Sequence, residues 1–193
     1  MKLLYQPSSP FGRKVMVCAI AREIDDQIVT VLAGGESEPV VGVNPLGKIP
    51  CLVANDGTEL YDSRVICEFL DGVGSSIPLF PDHGLRMRAL RLQALADGIS
   101  DAAVLRRGEQ SRPSEPARDD VIEKQKRKVA RSLAVLEADV PADHLDIGTI
   151  AVACALGYLD LRFADEPWRD AHPALAAWFA KMMERPCLAR TIP

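Results

Sequence analysis

The sequence predicts two unlike halves: an α/β half over residues 1–77, built on a mixed four-stranded sheet, and an all-α helical bundle over 84–193, joined by a linker at 78–83. Three observations carry this. Short strand-like and helix-like runs alternate up to "PLFPDHG"; beyond it helical periodicity dominates and no convincing strand remains; and "NDG" at 55–57 marks a hairpin between two strand-like runs.

In chain order, "KLLY" (2–5) reads as a buried strand, 10–22 as a helix with Pro10 at its first position, and "QIVTVL" (27–32) as a second strand. A helical crossover joins these strands, so they should be parallel with the usual right-handed connection. The segment up to residue 50 reads as irregular. "CLVA" (51–54) and "TELY" (58–61) flank Asp56 and Gly57, which tolerate the positive φ of a tight turn, so they should be antiparallel neighbours. A helix over 63–71 completes a βαβ–ββα order.

In the second half, 85–109 reads as a long helix with Leu85, Leu92, Leu95, Ile99 and Leu105 among its apolar positions, broken by "SRPSEPA". The next helix, 117–139, sets Val121, Ile122, Val129, Leu133 and Leu136 on one stripe and charges elsewhere, as a half-exposed helix does. Ile147 to Leu159 carries no charge, so as a helix it is apolar on every side and belongs in the middle of a bundle. It is too short to span a membrane. Asp146 can cap it, with Thr149 three residues on. A last helix starts at Pro173 and stops before Pro186.

Composition is that of an ordinary soluble protein, with 48% hydrophobic and 26% charged residues and a net charge of -4. That balance offers no electrostatic footprint for nucleic acid or an anionic membrane. With no signal-peptide pattern and no transmembrane-length apolar run, a cytoplasmic location is expected. The five cysteines, Cys18, Cys51, Cys67, Cys154 and Cys187, are widely spaced in apolar runs and read as reduced core residues. His83, His144 and His172 lack ligand spacing and read as capping or surface residues. No metal site is expected.

Five motifs in order resemble the cytosolic glutathione S-transferase family, in its bacterial, serine-type branch: "SPFGRKV", "NPLGKIP", "YDSRVICEFL", "LDIGTIAVACALGYLDLRF" and "RPCLARTIP". The resemblance covers essentially the whole chain. It implies that the first half is a thioredoxin-like domain, that glutathione is the co-substrate, that no metal is used, and that the protein is a homodimer with the 85–109 helix as a plausible contact. "NPLGKIP" is similar to the loop leading to the family's cis-proline, here Pro50. An X-Pro bond is cis at modest cost, and such a turn exposes the main chain of the residue before it to a peptide ligand. The resemblance implies that Ile49 holds the cysteinyl part of glutathione, and Lys48 could reach the glycyl carboxylate. In "YDSRV", Ser63 falls at or near a helix N-terminus, where unpaired N–H groups favour an anion. The resemblance makes that anion the γ-glutamyl carboxylate, with Asp62 balancing the ammonium group. The family more often has glutamate or glutamine in place of Asp62, and aspartate is one methylene shorter.

The resemblance places the catalytic residue at Ser9, just before Pro10, with Ser8 in reserve. A thiol with a pKa near ~8.5 is only about 3% thiolate at pH 7, and lowering it to roughly 6.5 takes about 2.7 kcal/mol of selective stabilisation. A hydroxyl hydrogen bond to a charged acceptor contributes roughly 1.5–3 kcal/mol, and a helix N-terminus adds about 0.3–1 kcal/mol, so Ser9 on a helix start suffices. Ser9 is equally an ordinary N-cap, and one residue can do both. Phe11 would face the ligand or pack at the domain interface. Arg13 and Lys14 read as structural, Arg13 as pairing across the domain or dimer interface. Cys51 reads as inert.

The function expected is transfer of glutathione to a small hydrophobic electrophile. A bound thiolate also attacks disulfides and peroxides, so reductase and peroxidase activities stay open. The alternative is a non-catalytic binding or interaction module. The resemblance puts the electrophile pocket near residues 100–112 and Arg162.

Overall fold

The structure, a computed structural model, describes residues 1–82 and 84–192. His83, and Pro193 at the close of "RPCLARTIP", lie outside the described residues. The first half runs β1 (Lys2–Tyr5), α1 (Pro10–Ala21), a 3-10 turn at Asp25–Gln27, β2 (Val29–Leu32), α2 (Glu38–Val41), β3 (Cys51–Val53), β4 (Glu59–Leu60) and α3 (Ser63–Val73). The second contains α4 (Gly84–Gln110), α5 (Pro116–Ala138), α6 (Ile147–Arg162), α7 (Pro173–Met183) and α8 (Pro186–Ala189).

The four strands form one mixed sheet in the order β2-β1-β3-β4. β1 pairs in parallel with β2, Leu3 facing Thr30, and antiparallel with β3, Leu3 facing Leu52. The β3–β4 hairpin turns at Gly57, whose φ of 87° suits only a residue without a Cβ. Asp56 supports the turn by accepting from the Thr58 N–H at 2.9 Å. Three local expectations are corrected. The second strand begins at Val29, because Asp25–Gln27 winds into a 3-10 turn. The fourth strand is only Glu59–Leu60, since Thr58 is spent on the turn. The supposedly irregular segment holds the four-residue α2, with Pro39 in its first turn.

α6 is the centre of the helical half. Ile147, Ile150, Val152, Ala153, Ala155 and Leu156 are fully buried, and each large aliphatic side chain there stabilises the fold by roughly 1.5–3 kcal/mol. Its N-terminus carries a reciprocal capping box: the Thr149 N–H donates to Asp146 Oδ1 at 2.8 Å and the Asp146 N–H donates to Thr149 Oγ1 at 2.9 Å. His144 lies 2.8 Å from the other Asp146 oxygen, and His172 occupies the N-cap position of α7 with its ring 2.7 Å from the Trp168 carbonyl oxygen and no capping bond from its side chain. α5 is amphipathic as expected, with Leu133 and Leu136 buried and Val121, Ile122 and Val129 half-buried.

The face that α4 buries is built mainly of small residues, with Leu92 and Leu95 half-buried at its margin. Ala89, Ala96, Ile99, Ala102 and Ala103 point inward, while Leu85 is 65% and Leu105 46% exposed. The reason is spacing between helices: a Cβ on Gly148 of α6 would lie 2.6 Å from the Ala89 carbonyl oxygen and 2.9 Å from Leu92 Cβ. Backbones this close leave room only for small side chains.

Two buried cations of α1 fasten the halves together. Arg13, 3% exposed, donates from Nε to Thr191 Oγ1 and from Nη2 to the Leu188 carbonyl, both at 3.3 Å. Lys14, 1% exposed, pairs with Asp97 of α4 at 2.7 Å. The five cysteines are buried and free, and burial pushes the Cys154 thiol up to about 12.

Candidate active site

A cleft of about 510 Å³ opens between the halves, its walls supplied by α1, the 44–50 loop, the start of α3 and the middle of α4. The loop is held by Asn44, a buried side chain that donates to the Lys48 carbonyl at 2.8 Å and accepts from the Leu46 N–H at 3.0 Å. These two bonds present Lys48, Ile49 and Pro50 to the cleft. The Ile49–Pro50 peptide is cis. Among the described residues the Ile49 main chain makes no hydrogen bond, so its N–H and C=O are available to an extended ligand.

Opposite the loop, Asp62 is the N-cap of α3 and accepts from the Arg64 N–H at 2.9 Å. Ser63 is the first helical residue, 2% exposed yet lining the cleft. Its hydroxyl has no hydrogen-bond partner among the described residues, and it stands where a helix end favours negative charge. The Asp62 carboxylate therefore has a capping duty as well as a place on the cleft wall.

Phe11, in the first turn of α1, forms another part of the wall. Ser9 caps α1 two residues earlier, its Oγ accepting from the Gly12 N–H at 3.3 Å. That bond uses a lone pair of the oxygen and leaves the O–H free to donate elsewhere. Ser9 and Ser8 are half-buried and sit beside the cleft rather than among its lining residues. The structure thus gathers Phe11, Lys48, Ile49, Pro50, Asp62 and Ser63 around one cavity and sets the two serines next to it. Of the region expected to hold an electrophile, Asp101 lines this cleft, whereas Arg162 does not.

Sequence reading singled out neither carboxylate of the fourth wall. Asp97 and Asp101, one turn apart on α4, face the cleft with Arg64. Asp97 is 3% exposed and bridges two cations, accepting from Lys14 Nζ at 2.7 Å and from Arg64 Nε at 2.8 Å. It ties the starts of α1 and α3 to one carboxylate. Burial raises the Asp101 carboxyl above its ordinary value, and the neighbouring Asp97 charge raises it further, against Arg64 and Lys48. Cys51, next to Pro50, is fully buried and its thiol is raised by that burial, so it is a poor nucleophile. Among the described residues no group of His, Cys, Asp or Glu side chains is arranged to hold a metal ion, and no helix is long and apolar enough to cross a membrane.

The glutathione S-transferase N-terminal domain family matches residues 8–73, and the glutathione S-transferase C-terminal domain family matches residues 119–181. The chain belongs to the glutathione S-transferase family. It is 34% identical to an uncharacterized GST-like protein of Escherichia coli K12, YibF, over all of this chain and 98% of that one. A glutathione transferase family member from Pseudomonas fluorescens Pf-5, solved with bound glutathione, superposes with a TM-score of 0.94 at 42% identity, over 100% of this chain and 98% of that one. A glutathione S-transferase from Methylobacillus flagellatus KT, also with glutathione bound, gives a TM-score of 0.91 at 42% identity over the same shares. The first half is therefore the thioredoxin-like domain of a glutathione S-transferase and the second its helical partner.

Proposed function

We propose that this protein is a glutathione transferase that binds glutathione across the cleft and activates its thiol for attack on a small hydrophobic electrophile. The observation that carries this reading is the single cavity onto which the Ile49–Pro50 turn and the Ser63 helix start both open, with the capped start of α1 alongside. In this reading Ile49 pairs with the cysteinyl main chain, and Ser63 with the helix N-terminus receives the γ-glutamyl carboxylate. Asp62, and across from it Asp101, offer negative charge to the ammonium group, and Lys48 reaches the glycyl carboxylate. Ser9 donates its free O–H to the sulfur, and Ser8 is the alternative donor. The glutathione-bound relatives support the choice of ligand. The protein would act in the cytoplasm as a homodimer, for which the exposed Leu85 and Met87 of α4 offer apolar surface.

The decisive experiment is calorimetric titration with glutathione, combined with the ultraviolet thiolate band of the complex and conjugation rates for wild type, Ser9→Ala and Ser8→Ala. Glutathione should bind. Ser9→Ala should lose the thiolate band at neutral pH and at least about ten-fold in rate, the loss of one charge-assisted hydrogen bond. Retention of band and rate by Ser9→Ala with loss in Ser8→Ala moves the role to Ser8. Retention in both variants removes serine activation, and failure of wild type to bind glutathione removes the reading altogether.

A further inference from the structure

Four cations are buried among the described residues: Arg13 and Lys14 of α1, Arg22 just after it, and Arg106 of α4. Three of them have a carboxylate. Lys14 has Asp97 at 2.7 Å, Arg22 has Asp71 at 3.1 Å, and Arg106 has Glu166. Arg13 has none among the described residues. It donates instead to three neutral atoms, Thr191 Oγ1 and the Leu188 carbonyl oxygen, both at 3.3 Å, and Met183 Sδ at 3.5 Å. Charge-assisted hydrogen bonds run about 2.7–2.9 Å, so these longer contacts steady the guanidinium without neutralising it. A buried charge in that state is costly until a group of opposite sign reaches it.

The same guanidinium lines a second cavity, of about 220 Å³, on the far side of α1. Arg13, Met16 and Ile20 form its helix wall, and the segment after α8 closes it with Arg190, Thr191 and Ile192. At about 100° per residue, those three α1 positions fall roughly 140–200° around the helix from Phe11, so this cavity and the cleft lie on opposite faces of α1. The remaining charges on its wall are Arg190 and Asp25, which pair at 2.7 Å. Two cations against one carboxylate leave a single positive charge, which suits a monoanion rather than a phosphate dianion. Met16, Ile20 and the Tyr5 ring suit an apolar body. An apolar cavity of about 150 Å³ holds benzene, so this one takes a single ring with its carboxylate and little more.

We propose that this cavity binds a small aromatic carboxylate, its carboxylate against the Arg13 guanidinium and its ring against Met16 and Ile20. A guanidinium fork matches a carboxylate in geometry as well as charge. The ligand is an effector rather than a substrate. It supplies the charge that seats α1 against the 188–191 segment, and it takes no part in the chemistry of the cleft. The proposal stands apart from the transferase reading and does not depend on it.

The test is calorimetric titration of the full chain at neutral pH with benzoate and with its uncharged analogue benzyl alcohol, each with and without glutathione, beside thermal unfolding of two variants. Wild type should bind benzoate at least about ten-fold more tightly than benzyl alcohol, and glutathione should leave that affinity unchanged. Met16→Glu sets a carboxylate three residues from Arg13 on the same helix face, inside the cavity. It should unfold at least about 2 °C above its neutral counterpart Met16→Gln and should bind no benzoate. Arg13 keeps its bonds to the 188–191 segment in both variants. If Met16→Glu is no more stable than Met16→Gln, Arg13 needs no counter-charge and the proposal falls. Equal affinity for the two probes, or no binding of either, overturns it as well. Displacement of benzoate by glutathione places the ligand in the cleft and overturns it too. Benzoate binding without glutathione binding keeps this site and removes the transferase reading.

Discussion

Asp97→Asn leaves Lys14 with a buried charge and no counter-ion. Lys14 is 1% exposed and its only ion-pair partner among the described residues is Asp97, at 2.7 Å. Removing one member of such a buried pair costs about 3–5 kcal/mol. Asparagine keeps an oxygen that can still accept from Lys14, and Arg64, whose side chain is 53% exposed, can turn into water, so the lower end of that range applies. A chain of this size loses about 2–4 °C of Tm per kcal/mol, which gives a drop of about 6–12 °C. Thermal unfolding followed by far-UV circular dichroism at pH 7 measures it. Lys14→Met/Asp97→Leu removes both charges and should unfold close to wild type, because apolar groups of similar volume replace a buried pair at little cost. A Tm for Asp97→Asn within about 2 °C of wild type, or a double variant no more stable than the single, would refute the role assigned to this contact.

Gly148→Ala forces its new methyl into the Ala89 carbonyl and should destabilise the protein by about 1–3 kcal/mol. Gly98→Ala, with nothing within 4 Å of the added Cβ, should instead gain up to about 1 kcal/mol of helix propensity. Urea unfolding of the two variants should shift in opposite directions, and shifts of the same sign would count against the close α4–α6 approach. A third expectation concerns acid. Arg106, with Lys126 behind it, holds the Glu166 carboxyl below its ordinary value of 4.5. A lowered folded-state value stabilises the protein above the unfolded value, and that stabilisation is lost as pH falls through the folded one. Glu166→Gln should therefore be less stable than wild type at pH 7, with the gap narrowing below pH 4.5; a gap independent of pH would contradict the assignment.

Much of the fold was legible because its signals are local. The Asp56–Gly57 turn announced the hairpin, Pro10 after Ser9 the start of α1, and the uncharged run from Ile147 the central helix. Which face α4 buries could not be read from its scattered apolar positions. Its inward side chains are instead chosen by how near α6 comes, and nothing in α4 itself records that distance. Ile49, Pro50 and Ser63 could be expected on the cleft wall because each is marked by its own turn or helix end. Asp97 could not: its partners lie 83 and 33 residues away, and it reads as one more charge on a polar helix. Asn44 was passed over for the opposite reason, since asparagine before proline already explains a turn and gives no hint that its side chain braces Lys48.

The bonds of Arg13 also bear on how the protein is made. Thr191, which accepts from its guanidinium, comes 178 residues later in the chain. At about 5–20 residues per second, translation places on the order of ten to thirty seconds between the two. Through that interval Arg13 lacks the Thr191 and Leu188 partners it has in the finished fold, and Lys14 lacks Asp97 until that residue, 83 positions on, is made. Phe11 and the capped turn travel with α1. The α4 wall of the cleft, Asp97 and Asp101, comes only with the helical half, so the first half by itself offers an unfinished pocket.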